Sequence, residues 1–149
     1  NNQMDIGGYI DEWHWRKGKA TWTSNFTPPT QAYPWNITTA NPTGTVIGAA
    51  NSVTGNRTKV SGAFTYKNAG SSTATLGTDL KIFFTCNGGT NWTEASSYTA
   101  GSDFTTGIKT VYLGETTCTE GNDIRYKAEW ANQATGTMET QLHGIGLNY

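Results

Sequence analysis

Acid–base hydrolysis of a glycosidic bond needs two carboxylates that face each other across the substrate, and this chain shows no evident pair of that kind. Its acidic residues are spread over predicted strand ends and loops, where a side chain that faces water is the simpler interpretation. They are Asp11, Glu12, Asp79, Glu94, Asp103, Glu120 and Asp123. His14 and His143 lack both the neighbouring motif of a nucleophilic triad and the spacing of zinc ligands. The sequence therefore predicts a protein that is not an enzyme, with no catalytic residue, no cofactor and no metal site.

The aromatic residues near the start of the chain are the strongest candidates for a binding surface. Trp13, Trp15, Trp22 and Trp35 crowd together there with Tyr33. A row of exposed aromatic faces would stack on the sugar rings of a glycan. The same side chains are also the usual means of burying a strand against a sandwich or a neighbouring subunit. We therefore predict that these five residues contact either a glycan or a protein partner.

Two cysteines, Cys86 and Cys118, permit a single internal disulfide. Cys86 ends a predicted strand and Cys118 lies in the turn-like run TTCTEGND, so a bridge between two neighbouring loops is feasible. By chain entropy such a bridge would stabilise the fold by about 3 to 4 kcal/mol. The alternative is two unpaired, small, buried residues, and the sequence does not decide between them.

The composition favours strands joined by tight turns. The 149 residues are enough for one domain, or for one domain with a short extra piece. The chain is rich in threonine, has 18 glycines and is 12% aromatic, whereas helix formers are scarce. Only 14% of the residues are charged and the net charge is -1, which gives no field to hold a nucleic acid. Because no apolar run approaches the roughly 20 residues of a membrane span, we expect no membrane contact either.

The clearest element is a β-hairpin over residues 76–98. Leu80, Ile82 and Phe84 fall on one side of an extended chain, as expected for a strand with one buried face. Residues 87–89, Asn-Gly-Gly, tolerate the positive φ of a tight reversal. Because two strands alone are at best marginally stable, further strands must cover the apolar face.

Strands recur along the chain at nearly regular spacing, with glycine, serine and asparagine between them. They are predicted at residues 59–67, 79–85, 91–98, 108–113, 124–130 and 138–149. Trp92 and Trp130 are predicted to belong to the core. The spacing is that of an antiparallel β-sandwich rather than of βαβ units. The expected fold is all-β, a jelly-roll-like antiparallel sandwich preceded by an N-terminal strand pair and a connector.

Residues 1–35 are predicted to form that strand pair, which Pro28-Pro29 ends because proline has no N–H to donate to a ladder. The pair resembles the closing stretch of the concanavalin A-like, laminin-G-type jelly-roll domains of tailed-phage structural proteins. The resemblance is carried by residues 8–12, 17–18 and 20–29. Trp13 and Trp15 depart from that pattern, and the rest of the jelly roll is absent. Residue 1 is Asn and not an initiator methionine. Together with the resemblance, this implies that the chain is the end of a longer polypeptide, or that the strand pair has been reused as a connector.

Residues 36–57, rich in Pro, Thr, Asn and Gly, are predicted to be a connector with room for one edge strand at Val46-Ile47. Residues 58–149 are predicted to be the C-terminal β-sandwich. They resemble a β-sandwich domain at the C-terminal end of tail-fibre-like and other virion proteins of phages, many of them marine. The resemblance is carried by Trp92 and by residues 66–68, 73–85, 87–89, 104–109, 124–133 and 143–149. Cys86 and Cys118 depart from the usual residues of that family.

The resemblances imply a non-enzymatic structural module of a phage virion, in a tail fibre, a spike or a capsid decoration protein. Such a module would lie in the virion or outside the cell. It would assemble as a homo-oligomer with other virion proteins and contact a host-surface glycan. The alternative is a carbohydrate-binding module of a secreted or adhesin-type protein that uses the N-terminal aromatic residues. A fragment of a glycoside hydrolase is the weakest hypothesis, because no carboxylate pair is evident.

Overall fold

Seven β-strands form the part of the chain that the computed structural model describes, residues 42–149. They are β1 (Gly44–Ile47), β2 (Asn51–Asn68), β3 (Leu80–Thr85), β4 (Thr93–Glu94), β5 (Tyr98–Ala100), β6 (Lys109–Trp130) and β7 (Thr140–Asn148). Residues 42–149 contain no helix. The strand pair predicted for residues 1–35, and the boundary predicted at its end, lie outside the described residues.

The two halves of β6 belong to different layers, and the other strands are arranged around them. The first half lies between β5 and β2, and β2 carries β7 on its other side. The second half lies between β1 and β3, and β3 carries β4. We call the layer β1-β6-β3-β4 sheet A and the layer β5-β6-β2-β7 sheet B. Every pairing between these strands is antiparallel, which confirms the predicted all-β antiparallel β-sandwich.

The core lies between the two sheets and consists of their inward-facing residues. Leu80, Ile82 and Phe84 of β3 are completely buried, which confirms the face predicted for this strand. Phe64 of sheet B is also buried, and its ring stands edge-on to that of Tyr98 with 6.5 Å between the centroids. The other buried residues of this core cluster are Val60, Tyr66, Cys86, Ala95, Val111, Leu113, Cys118, Ile124 and Ala128. Because both sheets contribute to one cluster, each covers the apolar face of the other.

Thr85 organises the turn that follows β3. Its hydroxyl oxygen accepts hydrogen bonds from the N–H groups of Asn87 and Gly89, both at 3.2 Å. The Asn91 N–H donates to the side-chain oxygen of Asn87 at 3.0 Å. Gly88 and Gly89 have φ values of 71° and 95°, in the range that favours glycine. The tight reversal predicted at residues 87–89 is therefore confirmed.

The returning arm of this hairpin is shorter than predicted. Phe83 pairs with Glu94 in the expected antiparallel manner, but β4 ends at that residue. The Ser96 N–H donates instead to the Thr116 hydroxyl of β6, at 3.0 Å. The chain thus crosses from sheet A to sheet B, and β5 is a separate strand of sheet B.

The two longest strands, β2 and β6, run through segments that were predicted to be irregular. The run around Cys118, predicted as a turn, lies inside β6, and residues 51–57, predicted as connector, belong to β2. The register between the two strands shifts at Ser52/Arg57, Arg57/Lys59 and Val60/Gly62. Such shifts move side chains between faces, so the period-2 pattern is lost although the ladder continues. The apolar pair Val46-Ile47 lies in β1, at an edge of sheet A.

Trp130 packs against the core as predicted, but the prediction that Trp92 is a core residue is wrong. Trp130 is half-buried, and its indole N–H donates to the Thr140 carbonyl at 2.9 Å. Trp92 lies two residues before Glu94 and therefore shares its outward side. Its ring centroid lies 5.3 Å from Lys127 Nζ on the outer face of sheet A.

Candidate functional site

The outer face of sheet A carries charged and aromatic side chains whose positions follow from the strand register. Phe83 of β3 lies between Lys127 of β6 and Glu94 of β4. Lys127 Nζ lies 4.3 Å from the centroid of the Phe83 ring and 5.3 Å from that of Trp92. The same ammonium group lies 2.7 Å from Glu129 Oε1. One cation therefore contacts two aromatic rings while it is paired with a carboxylate.

The neighbouring charges of this face are paired as well. Lys81 Nζ lies 3.7 Å from Glu94 Oε2, and Arg125 Nη2 lies 2.6 Å from Asp123 Oδ2. The hydrogen bond from Arg125 lowers the pKa of Asp123. A carboxylate held ionised by an adjacent cation, as Asp123 is, makes a poor general acid, and rings already in contact with a cation are less free to stack on a sugar. This face is thus better suited to surface packing than to acid–base chemistry.

The part of the outer face of sheet B that lies over the middle of β2 and β7 consists of small, uncharged residues and Tyr112. In the register of β6, β2 and β7, Tyr112 lies beside Ala63, and Ala63 lies beside Gly146. Ala63, Phe64, Thr65, Thr110, Gly144 and Gly146 line a shallow groove of about 150 Å³. Tyr112, at 55% exposure, is the large apolar side chain of this face. The face is therefore flat and open along β7.

β7 forms an edge of sheet B beside this groove. It pairs with β2 along one side, and no strand within residues 42–149 pairs with its other side. The strand contains no Lys, Arg, Asp, Glu or Pro, the residues that commonly keep an edge from pairing with another chain. Its register shift opposite Thr65/Tyr66 is the one irregularity along the pairing with β2. The free edge of β7 and the adjacent groove, together called the β7 surface, can accept an added strand.

A second groove, of about 390 Å³, lies where the end of β6 meets the start of β7. Trp130 and Thr140 both line it, and the Thr140 hydroxyl oxygen is buried without a hydrogen-bond partner among residues 42–149. The Gln133 side-chain oxygen accepts from the Thr140 N–H at 2.8 Å, and Glu139 Oε1 accepts from the Gly136 N–H at 2.6 Å. These bonds hold the loop that forms the groove.

Asp79 ties the turn before β3 to the end of β6, next to that groove. It is 6% exposed, and its two carboxylate oxygens accept from the Thr75 N–H at 2.7 Å and from the Asn132 amide at 2.8 Å. Its carbonyl accepts from the Ala131 N–H at 3.0 Å. The hydrogen bond from Asn132, followed by that from Thr75, lowers the pKa of Asp79. The ionised carboxylate therefore positions both loops.

Asp79 should make the stability of the fold depend on pH in the acid range. Its pKa is lowered in the folded protein from an ordinary value of 3.8, so the unfolded chain binds the proton more readily. The stabilisation is fully present above the unfolded value and is lost as the pH falls through the folded pKa. Asp79→Asn should flatten this acid profile and lower the free energy of unfolding at neutral pH by about 1 to 3 kcal/mol. Denaturant unfolding over a pH series measures both effects.

Asp103→Asn is the matched control for this experiment. Asp103 is exposed in the loop between β5 and β6, so the substitution makes the same change in charge without removing a buried partner. The control should change the free energy of unfolding by less than about 0.5 kcal/mol. Equal acid profiles for wild type and Asp79→Asn would show that Asp79 does not carry the effect.

The aromatic residues predicted to contact a glycan or a partner lie outside the described residues. They are Trp13, Trp15, Trp22, Tyr33 and Trp35, and their role stays a prediction. Cys86 and Cys118 are described, and both are free thiols buried in the core. Burial raises the pKa of both thiols, and each thiol also shifts the pKa of the other. They do not connect two loops, because Cys118 is a strand residue.

The β7 surface was not found by sequence reasoning. The signal that could have indicated it is the absence of Lys, Arg, Asp and Glu from residues 140–149, which form most of the last predicted strand, together with Gly144 and Gly146 at alternate positions. Alternate glycines by themselves predict only a weak strand or a close backbone approach. The order of strands in sheet B shows that this strand lies at an edge.

Within residues 42–149, no group of three or more His, Cys, Asp or Glu side chains is placed to hold a metal ion. The same part of the chain has no helix of the length and apolarity needed to cross a bilayer. Comparison of the chain with protein-family models, curated proteins and solved structures gives no match. Its function is therefore inferred from its own residues.

Proposed function

We propose that this protein is a non-enzymatic structural module of a phage virion, from a tail fibre, a spike or a capsid decoration protein. It acts outside the cell by assembling with copies of itself and with other virion proteins, and it attaches to a host-surface glycan. The motif resemblance of residues 58–149 supports the virion setting. The β7 surface is the structural observation that supports assembly.

Assembly at the β7 surface would rely on main-chain hydrogen bonds. The free edge offers unpaired N–H and C=O groups to an added strand. The small side chains of the adjacent groove let the backbone of a second copy approach sheet B closely. β7 contains no Lys, Arg, Asp or Glu, so two copies would meet along this strand without like-charge repulsion between such side chains. A two-fold arrangement would use the same edge on both copies.

Gly146→Lys should prevent assembly without unfolding the protein. A Cβ added at Gly146 meets no atom within 4 Å, and the residue does not have a positive φ, so a lysine fits the free protein. In a two-fold assembly the new charges would lie close together on a face that excludes water. We expect self-association to weaken by about 100-fold, since like charges at an interface cost several kcal/mol. Sedimentation velocity of the full-length protein measures this change.

Thr119→Lys is the matched control, because it adds the same side chain at an exposed position of β6 instead of β7. This variant should assemble like the wild type, and both variants should unfold at similar temperatures. A wild-type protein that stays monomeric at all soluble concentrations would contradict assembly. A similar loss of assembly in both variants would contradict the role of the β7 surface.

A carbohydrate-binding module is the second candidate function. The groove beside Trp130 favours it, because a volume of about 390 Å³ next to an aromatic ring suits a small ligand. Selective binding on a glycan array by a protein that stays monomeric would support this candidate over the first. Loss of that binding in Trp13→Ala or Trp15→Ala would assign the contact to the N-terminal aromatic residues. Loss in Gln141→Ala, which changes an exposed residue that lines the groove, would assign it to the groove.

A further inference from the structure

Cys86 and Cys118 face each other inside the sandwich, one from each sheet. Cys86 directly follows β3 of sheet A, and Cys118 lies in the half of β6 that pairs with β2 in sheet B. Their exposed fractions are 0% and 6%, and both belong to the core cluster. Each thiol also shifts the pKa of the other, so the two side chains are neighbours in the core.

The backbone around the two cysteines is held close by bonds that do not involve sulfur. The Asp123 N–H of β6 donates to the Cys86 carbonyl at 2.9 Å, and the Gly88 N–H donates to the Asp123 carbonyl at 3.0 Å. A side chain at Gly121 would overlap the Cys86 carbonyl, so β6 passes as close to this segment as a backbone can. A bond between the sulfur atoms would therefore join segments whose backbones are already in contact.

We propose that Cys86 and Cys118 form an internal disulfide that covalently links sheet A to sheet B. The oxidant is a low-molecular-weight disulfide such as oxidised glutathione. One cysteine thiolate attacks this reagent, displaces a glutathione thiolate and forms a mixed disulfide. The second cysteine thiolate then attacks the protein sulfur of that mixed disulfide and releases the other glutathione thiolate. The protein loses two protons and two electrons, and the reagent gains them as two thiols.

The bridge forms while the chain folds, before the core has closed. Burial raises the pKa of the Cys86 thiol, and burial together with the neighbouring Cys86 raises that of Cys118 to about 11. In the folded protein few thiolates are present at neutral pH, and the reagent has no access to the core. The bridge needs only the two cysteines and the fold that brings them together. It therefore does not depend on the proposed virion function.

The test compares two samples of the full-length wild-type protein, one refolded with reduced and oxidised glutathione and one refolded with a phosphine reductant. The oxidised sample should be monomer-sized under denaturing conditions without reductant. Its mass should be lower by two hydrogen atoms, and peptide mapping should link Cys86 to Cys118. Its melting temperature should be higher by about 10 °C, because the bridge restricts the unfolded chain, and reduction should remove the difference.

The double variant Cys86→Ala/Cys118→Ala is the control, and its melting temperature should be the same with and without reductant. Should the variant fail to fold, the two wild-type samples still decide the matter. Complete alkylation of both thiols after oxidative refolding would overturn the proposal. A disulfide between two chains, or a bridged protein that melts at the same temperature as the reduced one, would overturn it as well.

Discussion

Phe64→Ala is expected to lower the free energy of unfolding by about 4 kcal/mol. Phe64 is 1% exposed and lies on β2 at the centre of sheet B, where it pairs with Val111 on one side and Ile145 on the other. Its ring contacts Tyr66 at 5.8 Å and Tyr98 at 6.5 Å between centroids. Truncation would leave a cavity in the cluster that joins the two sheets. Because domains are stable by only about 5 to 15 kcal/mol, this loss would bring the protein near its unfolding threshold.

Denaturant unfolding of Phe64→Ala should be compared with that of Tyr112→Ala. Tyr112 also loses an aromatic ring and lies one residue from Val111, but it points to the outer face and is 55% exposed. Its replacement by alanine should lower the free energy of unfolding by less than about 1 kcal/mol. If the two variants lost similar amounts of stability, the core would not lie on the Phe64 side of sheet B.

Gly62→Ala is expected to lower the free energy of unfolding by about 2 to 3 kcal/mol and to loosen β7. A Cβ at Gly62 would overlap the carbonyl oxygen of Gly146 and would lie 3.5 Å from the Leu147 Cα. Both are backbone atoms, which cannot rotate away as a flexible side chain can. Gly62 also pairs with Leu113 of β6, so β2 cannot shift away from β7 without losing that pairing. Amide hydrogen exchange should show β7 losing protection before the rest of sheet B.

Gly146→Ala is the control, since it makes the same substitution on the facing strand. A Cβ there meets nothing within 4 Å. We expect the free energy of unfolding to stay the same or to rise by up to about 1 kcal/mol, because alanine restricts the unfolded chain. A loss equal to that of Gly62→Ala would contradict a close approach at Gly62. Self-association should weaken in Gly62→Ala, because the proposed assembly needs β7 held in place.

Local patterns predicted the hairpin correctly because their causes act over a few residues. Leu80, Ile82 and Phe84 alternate along β3, and all three are buried. The run 87–89 reverses the chain with positive φ at its two glycines. Trp92 was assigned to the core although the same alternation places it on the outward side with Glu94, where Lys127 Nζ lies 5.3 Å from its ring centroid.

The lengths of β2 and β6 could not be predicted in the same way. Each looks interrupted in sequence, since register shifts and residues such as Thr, Gly and Asn hide the alternation. The two strands support each other by pairing over most of their length, which is a long-range effect. The candidate site depends on the same effect, because β7 is an edge only by virtue of the strand order in sheet B.

By itself, the sequence determined that the protein is all-β, which face of β3 is buried and where the hairpin turns. These properties depend on side-chain alternation and on residues that tolerate positive φ, both of which act between neighbours in the chain. Only the tertiary structure decided that β6 pairs with strands of both sheets, that β7 has a free edge and that Cys86 and Cys118 are neighbours in the core. Those properties depend on which distant segments pair, and no local pattern of residues encodes that choice.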